Sequence, residues 1–265
     1  MAKNKSINQW CKSFGFKLFA VSFWFLIWEG FSRLLASNIL LPSPYSVLQS
    51  LCKLIVTALF WETILFSSLR IIAGFLLALF VGTLLAVFSF LNRFIKELIM
   101  PLMKTIQAMP VASFIIMALV WIQSKNLSVL TSFLMVMPLI YSNILQGLLS
   151  TDQKLLQMAK VFRLKHSMQI RAIYIPSVIP YFISAISVGM GFCWKAGIAA
   201  EVIGKPAGSI GKQLYESELN LMMEQLFAWT IVIILISIIF EKAVMLLLRL
   251  IHKDVIINKD LHSEV

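Results

Sequence analysis

Few residues in this chain have the types and spacing that covalent chemistry needs. The stretch GKPAGSIGK, residues 204–212, is glycine-rich, but its spacing is not the G-x-x-x-x-G-K-[ST] of a phosphate-binding loop. Nucleotide binding by this chain alone is therefore not expected. His166, His252 and His262 are scattered and no H-E-x-x-H occurs, so no metal site is expected. There is no G-x-S-x-G and no pair of aspartates inside an apolar stretch. No catalytic residue and no cofactor is assigned, and an enzyme is not expected. Cys11, Cys52 and Cys193 fall in three different surroundings, which argues against a disulfide framework.

Two features point to physical rather than covalent work. The first is a pair of charges, Lys195 and Glu201, in GFCWKAGIAAEVIG at the end of a strongly apolar stretch. An ammonium there is costly unless it faces water, pairs or snorkels to a surface. A place beside a solute path, with Glu201 near it, competes with those bland readings. A spacing of six does not put the two on one helix face. The second feature is LLQMAKVFRLKHSMQIRAIYIPSVIP, residues 155–180, polar and basic between two very apolar stretches. From Asp152 to Phe162 its pattern is helical, and Asp152 suits the N-terminal end. Leu155, Met158, Ala159 and Phe162 share one face; Lys154, Gln157, Lys160 and Lys165 are polar. A turn follows over Arg163–Ser167. Pro176 and Pro180 then fall in the opening turns of the next helix, where proline is best tolerated. The apolar face must be buried against a partner or against the membrane surface, where the lysines are also favourable. The residues alone leave both open.

The elements that must position these features come from composition. Hydrophobic residues are 60% of the 265 and charged residues only 13%, about half the share usual in soluble domains. A polytopic all-α membrane protein follows. Runs of about 20 apolar residues can cross the hydrocarbon, and six qualify: about 18–36, 63–90, 99–121, 128–149, 176–200 and 226–248. The first lacks a small-residue cleavage site and reads as a retained helix, not a signal peptide. The domain plan is then a segment 1–17, a six-helix membrane domain 18–248 with a loop at 150–175, and a tail 249–265. Pro110 and Pro138 lie inside the third and fourth spans and are expected to kink them.

Lys and Arg set the orientation. With the N-terminus inside, the cytoplasmic segments hold fifteen and the outer loops four: Lys53, Lys125, Lys205 and Lys212. Both termini are expected in the cytoplasm, and with them the 150–175 loop. The net charge of +11 is read the same way, so lipid and not nucleic acid is the expected neighbour. In the first outer loop, Ser43 and Pro44 suit an N-cap and first helical position. Val47, Leu48, Leu51, Leu54, Ile55 and Ala58 recur at helical spacing, which predicts a short amphipathic helix on the outer surface. Gly74, Ala78, Gly82 and Ala86 form a small-residue stripe suited to close helix packing.

The 155–180 segment resembles the signature loop of membrane subunits of binding-protein-dependent ABC importers. That pattern is E-A-A, three residues, G, nine residues, I-x-L-P. Gln157, Met158 and Ala159 fall on E-A-A, Arg163 on the glycine, and Ile173, Ile175 and Pro176 on I-x-L-P. The spacing is kept, while the E, the first A, the G and the L are not. LPSPYSVLQSL is similar to the outer-loop signature of the nitrate/sulfonate/taurine branch. The stretch with Arg70 and Gly74 resembles that branch's Arg-x-x-x-Gly, and AAEVIGKPAGSIGKQL its A-E-x-x-G…G-x-x-G.

The resemblance implies the six-helix type I permease fold, in a bacterial cell membrane. It implies a coupling helix, carrying Leu155, Gln157, Met158, Ala159, Phe162 and Arg163, that docks into an ATP-binding subunit present in two copies. It also implies an extracytoplasmic solute-binding protein, met by the loops around 37–61 and 201–225, and a second permease subunit, expected to be a copy of this chain. Closure of the ATPases would then switch the helices as rigid bodies between inward- and outward-facing states. The rival reading is a channel or ion-coupled secondary transporter. That class would show inverted repeats and acidic residues deep in the membrane, and neither is evident.

Overall fold

The computed structural model describes residues 19, 20, 22–35 and 40–261. Those residues form helices joined by short turns, and they cluster into two units: the described residues up to 61 with 213–231, and 62–212 with 232–261.

In the first unit, α1 (22–35) meets the loop before α2 (Pro44–Ile55). The Trp28 indole donates to the Pro42 carbonyl at 3.1 Å, and the Ser32 hydroxyl to the Leu41 carbonyl at 2.9 Å. Two carbonyls of the LPSP loop are thus satisfied by α1 side chains. Ser43 caps α2 by accepting from the Ser46 amide at 3.2 Å, with Pro44 at the helix start. The short helix expected there is present but ends at Ile55, and Ala58, expected on its apolar face, instead begins the next helix. Val47 is fully buried, Leu51 and Leu54 half-buried, and Leu48 and Ile55 exposed. Trp28 packs on Phe227, and Phe60 on Trp229.

The second unit is built on α3 (Ala58–Leu91), α6 (Ser124–Leu149) and α9 (Ile175–Gly204). α6 and α9 pack against each other extensively. The small-residue stripe on α3 does bring helices together. Gly74, Ala78, Gly82 and Ala86 are all buried. A Cβ on Gly74 would stand 2.5 Å from the Val129 carbonyl oxygen of α6, and one on Gly82 would stand 3.0 Å from Met137 O and Ile140 Cβ. Gly197 of α9 plays the same part, since a Cβ there would lie 2.5 Å from Ile71 and 2.7 Å from the Ser132 hydroxyl. Backbones at this distance gain dispersion contacts and interhelical hydrogen bonds where no hydrophobic drive operates between helices. One such bond runs from the Ser132 hydroxyl to the Cys193 carbonyl at 3.0 Å.

The third expected span, 99–121, is not a single kinked helix. It is divided into α4 (Arg93–Ala108) and α5 (Val111–Ala118), bent by 101°. Pro110 is the physical reason. It cannot donate a backbone hydrogen bond, and its ring drives the preceding residue out of the helical region. Met109 accordingly has ψ 128°. Pro138, by contrast, sits inside an uninterrupted α6. α3, α6, the helical run His166–Gly204 and Met223–Leu248 of α11 (Met223–Leu261) are long and apolar enough to cross a membrane; the α4–α5 pair would make a fifth. The first expected span, 18–36, lies partly outside the described residues.

Candidate functional site

The loop expected at 150–175 is a helix with both ends closed. Asp152 caps α7 (Gln153–Val161) by accepting from the Lys154 amide at 2.8 Å. At the other end the Leu164 amide donates to the Ala159 carbonyl at 2.9 Å and the Arg163 amide to the Lys160 carbonyl at 3.1 Å. This is the paired bonding of a Schellman turn, which needs a left-handed residue just after the helix. Arg163 supplies it at φ 50°. An arginine therefore adopts the conformation that suits the glycine of the signature pattern.

The faces of α7 differ from the sequence expectation in one residue. Leu155, Met158 and Phe162 are 45%, 54% and 70% exposed, while Ala159 is only 1% exposed. Ala159 thus belongs to the inner face. The reason is that Met158 and Ala159 are successive and stand 100° apart on a helix. Val161, which the spacing argument passed over, joins the exposed set at 78%. Gln157 and Arg163 are exposed as well. After the turn, α8 (His166–Gln169) leads into a wide turn, Ile170–Tyr174, and on into α9. In this wide turn the Ile175 amide donates five residues back, to Ile170. Pro176 follows at once; a helix widens by a residue where proline removes a donor and crowds the carbonyl four back. Tyr174 packs edge-on against Phe90 of α3.

Lys195 and Glu201 are not brought together. Lys195 is exposed on α9 and Glu201 is fully buried. Expected beside a solute path, Glu201 is instead built into the junction of three helices. Its backbone carbonyl accepts from the Lys205 amide at 2.8 Å where α9 ends. Its Oε2 accepts from the Ser67 hydroxyl of α3 at 2.7 Å and from the Gly211 amide at 3.2 Å. Gly211 is the second residue of α10 (Ile210–Leu219), whose neighbouring first amides are also met by side chains. Ile210 donates to the Ser67 Oγ at 2.9 Å, and Lys212 to the Ser209 Oγ at 3.1 Å. A carboxylate at a helix N-terminus satisfies free amides and complements the dipole. Arg70, one turn beyond Ser67, adds a positive charge within electrostatic reach while stacking on Phe66 at 3.4 Å. Ser67 was missed from sequence; its signal is a small hydroxyl one turn before the Arg-x-x-x-Gly.

Among the described residues no three His, Cys, Asp or Glu side chains come together as metal ligands. What remains is a membrane helix bundle with an exposed, capped, basic-apolar helix on one loop. Residues 71–257 match the family described as binding-protein-dependent transport system inner membrane component. The chain belongs to this family. The permease is also similar to the putative aliphatic sulfonates transport permease protein SsuC of Bacillus subtilis (strain 168), at 22% identity over 84% of this chain and 81% of that protein. It is 25% identical to the nitrate import permease protein NrtB of Synechococcus elongatus over 72% of each. The bicarbonate transport system permease protein CmpB of the same organism is 26% identical over 60% of this chain and 57% of its own length. The permease is a multi-pass membrane protein and the membrane subunit of an ABC importer. Its family is one of transporters, and it implies an ATP-binding subunit and a substrate-binding protein as partners.

Proposed function

We propose that this permease imports a small anion, in a bacterial inner membrane, with α7 as its docking helix for the ATP-binding subunit. The observation that carries the docking role is the exposed row Leu155, Met158, Val161 and Phe162 on a helix closed at both ends. A rigid apolar knob needs an apolar groove, and its basic neighbours Lys154, Lys160, Arg163 and Lys165 fit an acidic rim. Six spans, cytoplasmic termini, two ATPase copies and a second copy of this chain complete the reading. The segment 18–36 would be the first span and the bent α4–α5 pair the third. The loops around 37–61 and 201–225 would face the binding protein.

The anion is supported by the solutes in the names of the relatives above and by Lys195. An ammonium on the exposed face of a membrane helix is least costly where that face meets water or a solute. Glu201 is left out of the path, because its carboxylate is used inside the bundle.

The deciding experiment uses Met158→Asp and Phe162→Asp in the assembled importer. Each should abolish uptake and reduce co-purification of the ATP-binding subunit while the permease stays in the membrane. Full uptake in both would remove the docking assignment. For the solute, Lys195→Gln should cut anion uptake sharply and Lys195→Arg retain part of it, with ATP hydrolysis still stimulated by loaded binding protein. Normal uptake in Lys195→Gln would make Lys195 a snorkelling residue.

A further inference from the structure

Among the described residues of the second unit, Oε2 of Glu201 is the centre of a buried polar cluster that plays no part in the docking of α7. Glu201 is buried, 134 residues from Ser67 in sequence, and 2.7 Å from it in space. Each partner does two jobs. Ser67 Oγ donates to the carboxylate and accepts from Ile210; Glu201 closes α9 with its carbonyl and opens α10 with its side chain. Between these ends lies the short loop 205–209, with Lys205 at φ 49° and Gly208 at φ 75°. The approach is so close that a Cβ on Gly211 would overlap Glu201. A buried carboxylate is costly without compensation. Apolar packing would join these residues without that cost, so the acceptor oxygen of Glu201 does something packing does not. Hydrogen bonds have direction, and they hold the first turn of α10 in one orientation.

We infer that Glu201 is a positioning residue for transport: clamped by Ser67, it fixes the start of α10 and presents the loop 205–209 in a single shape to the binding protein. The last clause rests on the proposed outer position of that loop; the clamp itself does not.

The test uses the reconstituted importer carrying Glu201→Ala, Ser67→Ala or Glu201→Gln. Two readouts are taken: amide hydrogen exchange over 205–215, and the concentration of loaded binding protein that half-saturates ATP hydrolysis. Glu201→Ala and Ser67→Ala should speed exchange in 205–215 severalfold to about tenfold, the size expected for losing one or two buried hydrogen bonds, with α6 peptides unchanged. They should also raise the half-saturating concentration severalfold at an unchanged maximal rate. Glu201→Gln keeps an acceptor oxygen and should stay near wild type in both. If Glu201→Ala fails to accumulate, Ser67→Ala decides, since it removes one oxygen and leaves the helix surface intact. Unchanged exchange in Ser67→Ala overturns the clamp. Faster exchange with an unchanged half-saturating concentration overturns the role in transport and the outer docking of this loop, and leaves the assignment of α7 untouched.

Discussion

The Leu164 amide reaches back to the Ala159 carbonyl at 2.9 Å, with Arg163 left-handed between them. This bond ends α7 and turns the chain toward α8. Ala159, whose carbonyl it uses, lies on the inner face of α7 and is buried, while Met158 and Phe162 are not.

A left-handed conformation costs an L-residue with a Cβ about 1 kcal/mol or more. Arg163→Gly should therefore raise the stability of the purified permease by up to about 1 kcal/mol. Arg163→Val should lower it by roughly 1–2 kcal/mol, because a branched Cβ tolerates positive φ least. Thermal unfolding in detergent measures both. A lower midpoint for the glycine variant would contradict the turn.

Ala159→Asp is expected to fail for a different reason than Met158→Asp. It would bury a carboxylate with no partner, at a cost of several kcal/mol. The amount of folded permease should fall, as size-exclusion chromatography would show, whereas Met158→Asp should elute normally. A normal profile for both variants would place Ala159 on the surface.

Glycines separate by what a methyl would meet. Gly211→Ala collides with Glu201, and Gly197→Ala with Ile71 and Ser132. Overpacking of this kind costs typically 1–3 kcal/mol, occasionally more. A methyl on Gly191 meets nothing within 4 Å, so Gly191→Ala should be neutral or gain up to about 1 kcal/mol from helix propensity. Equal unfolding midpoints for the three would argue against the close packing of α9 on α3 and α10.

Orientation is testable on intact cells. Tyr45 and Asn220 are exposed, as is Lys165. With Cys11 and Cys52 replaced by serine, single cysteines at 45 and 220 should react with an impermeant thiol reagent, and one at 165 should not. Labelling of position 165 from outside would invert the proposed topology.

Much of this protein was legible in one dimension because its causes are local. Apolar runs mark the long helices, and Ser43, Pro44 and Asp152 mark helix starts, since caps and prolines act within a turn of themselves. Pro110 announced a disturbance in the third span, but whether a proline kinks or breaks a helix depends on what packs around it. The structure breaks α4 from α5 there and leaves α6 whole at Pro138. The stripe on α3 was visible as spacing; that it faces α6 was not. Lys195 and Glu201 looked like a pair of equals in an apolar stretch. Tertiary structure separated them, exposing one and clamping the other to Ser67. Composition and periodicity determine which segments are helical and apolar, because those are sums over neighbours in the chain. Which side chain is buried, and which polar group answers it from 134 residues away, is decided only when the helices meet, because a buried carboxylate must find its donors in space.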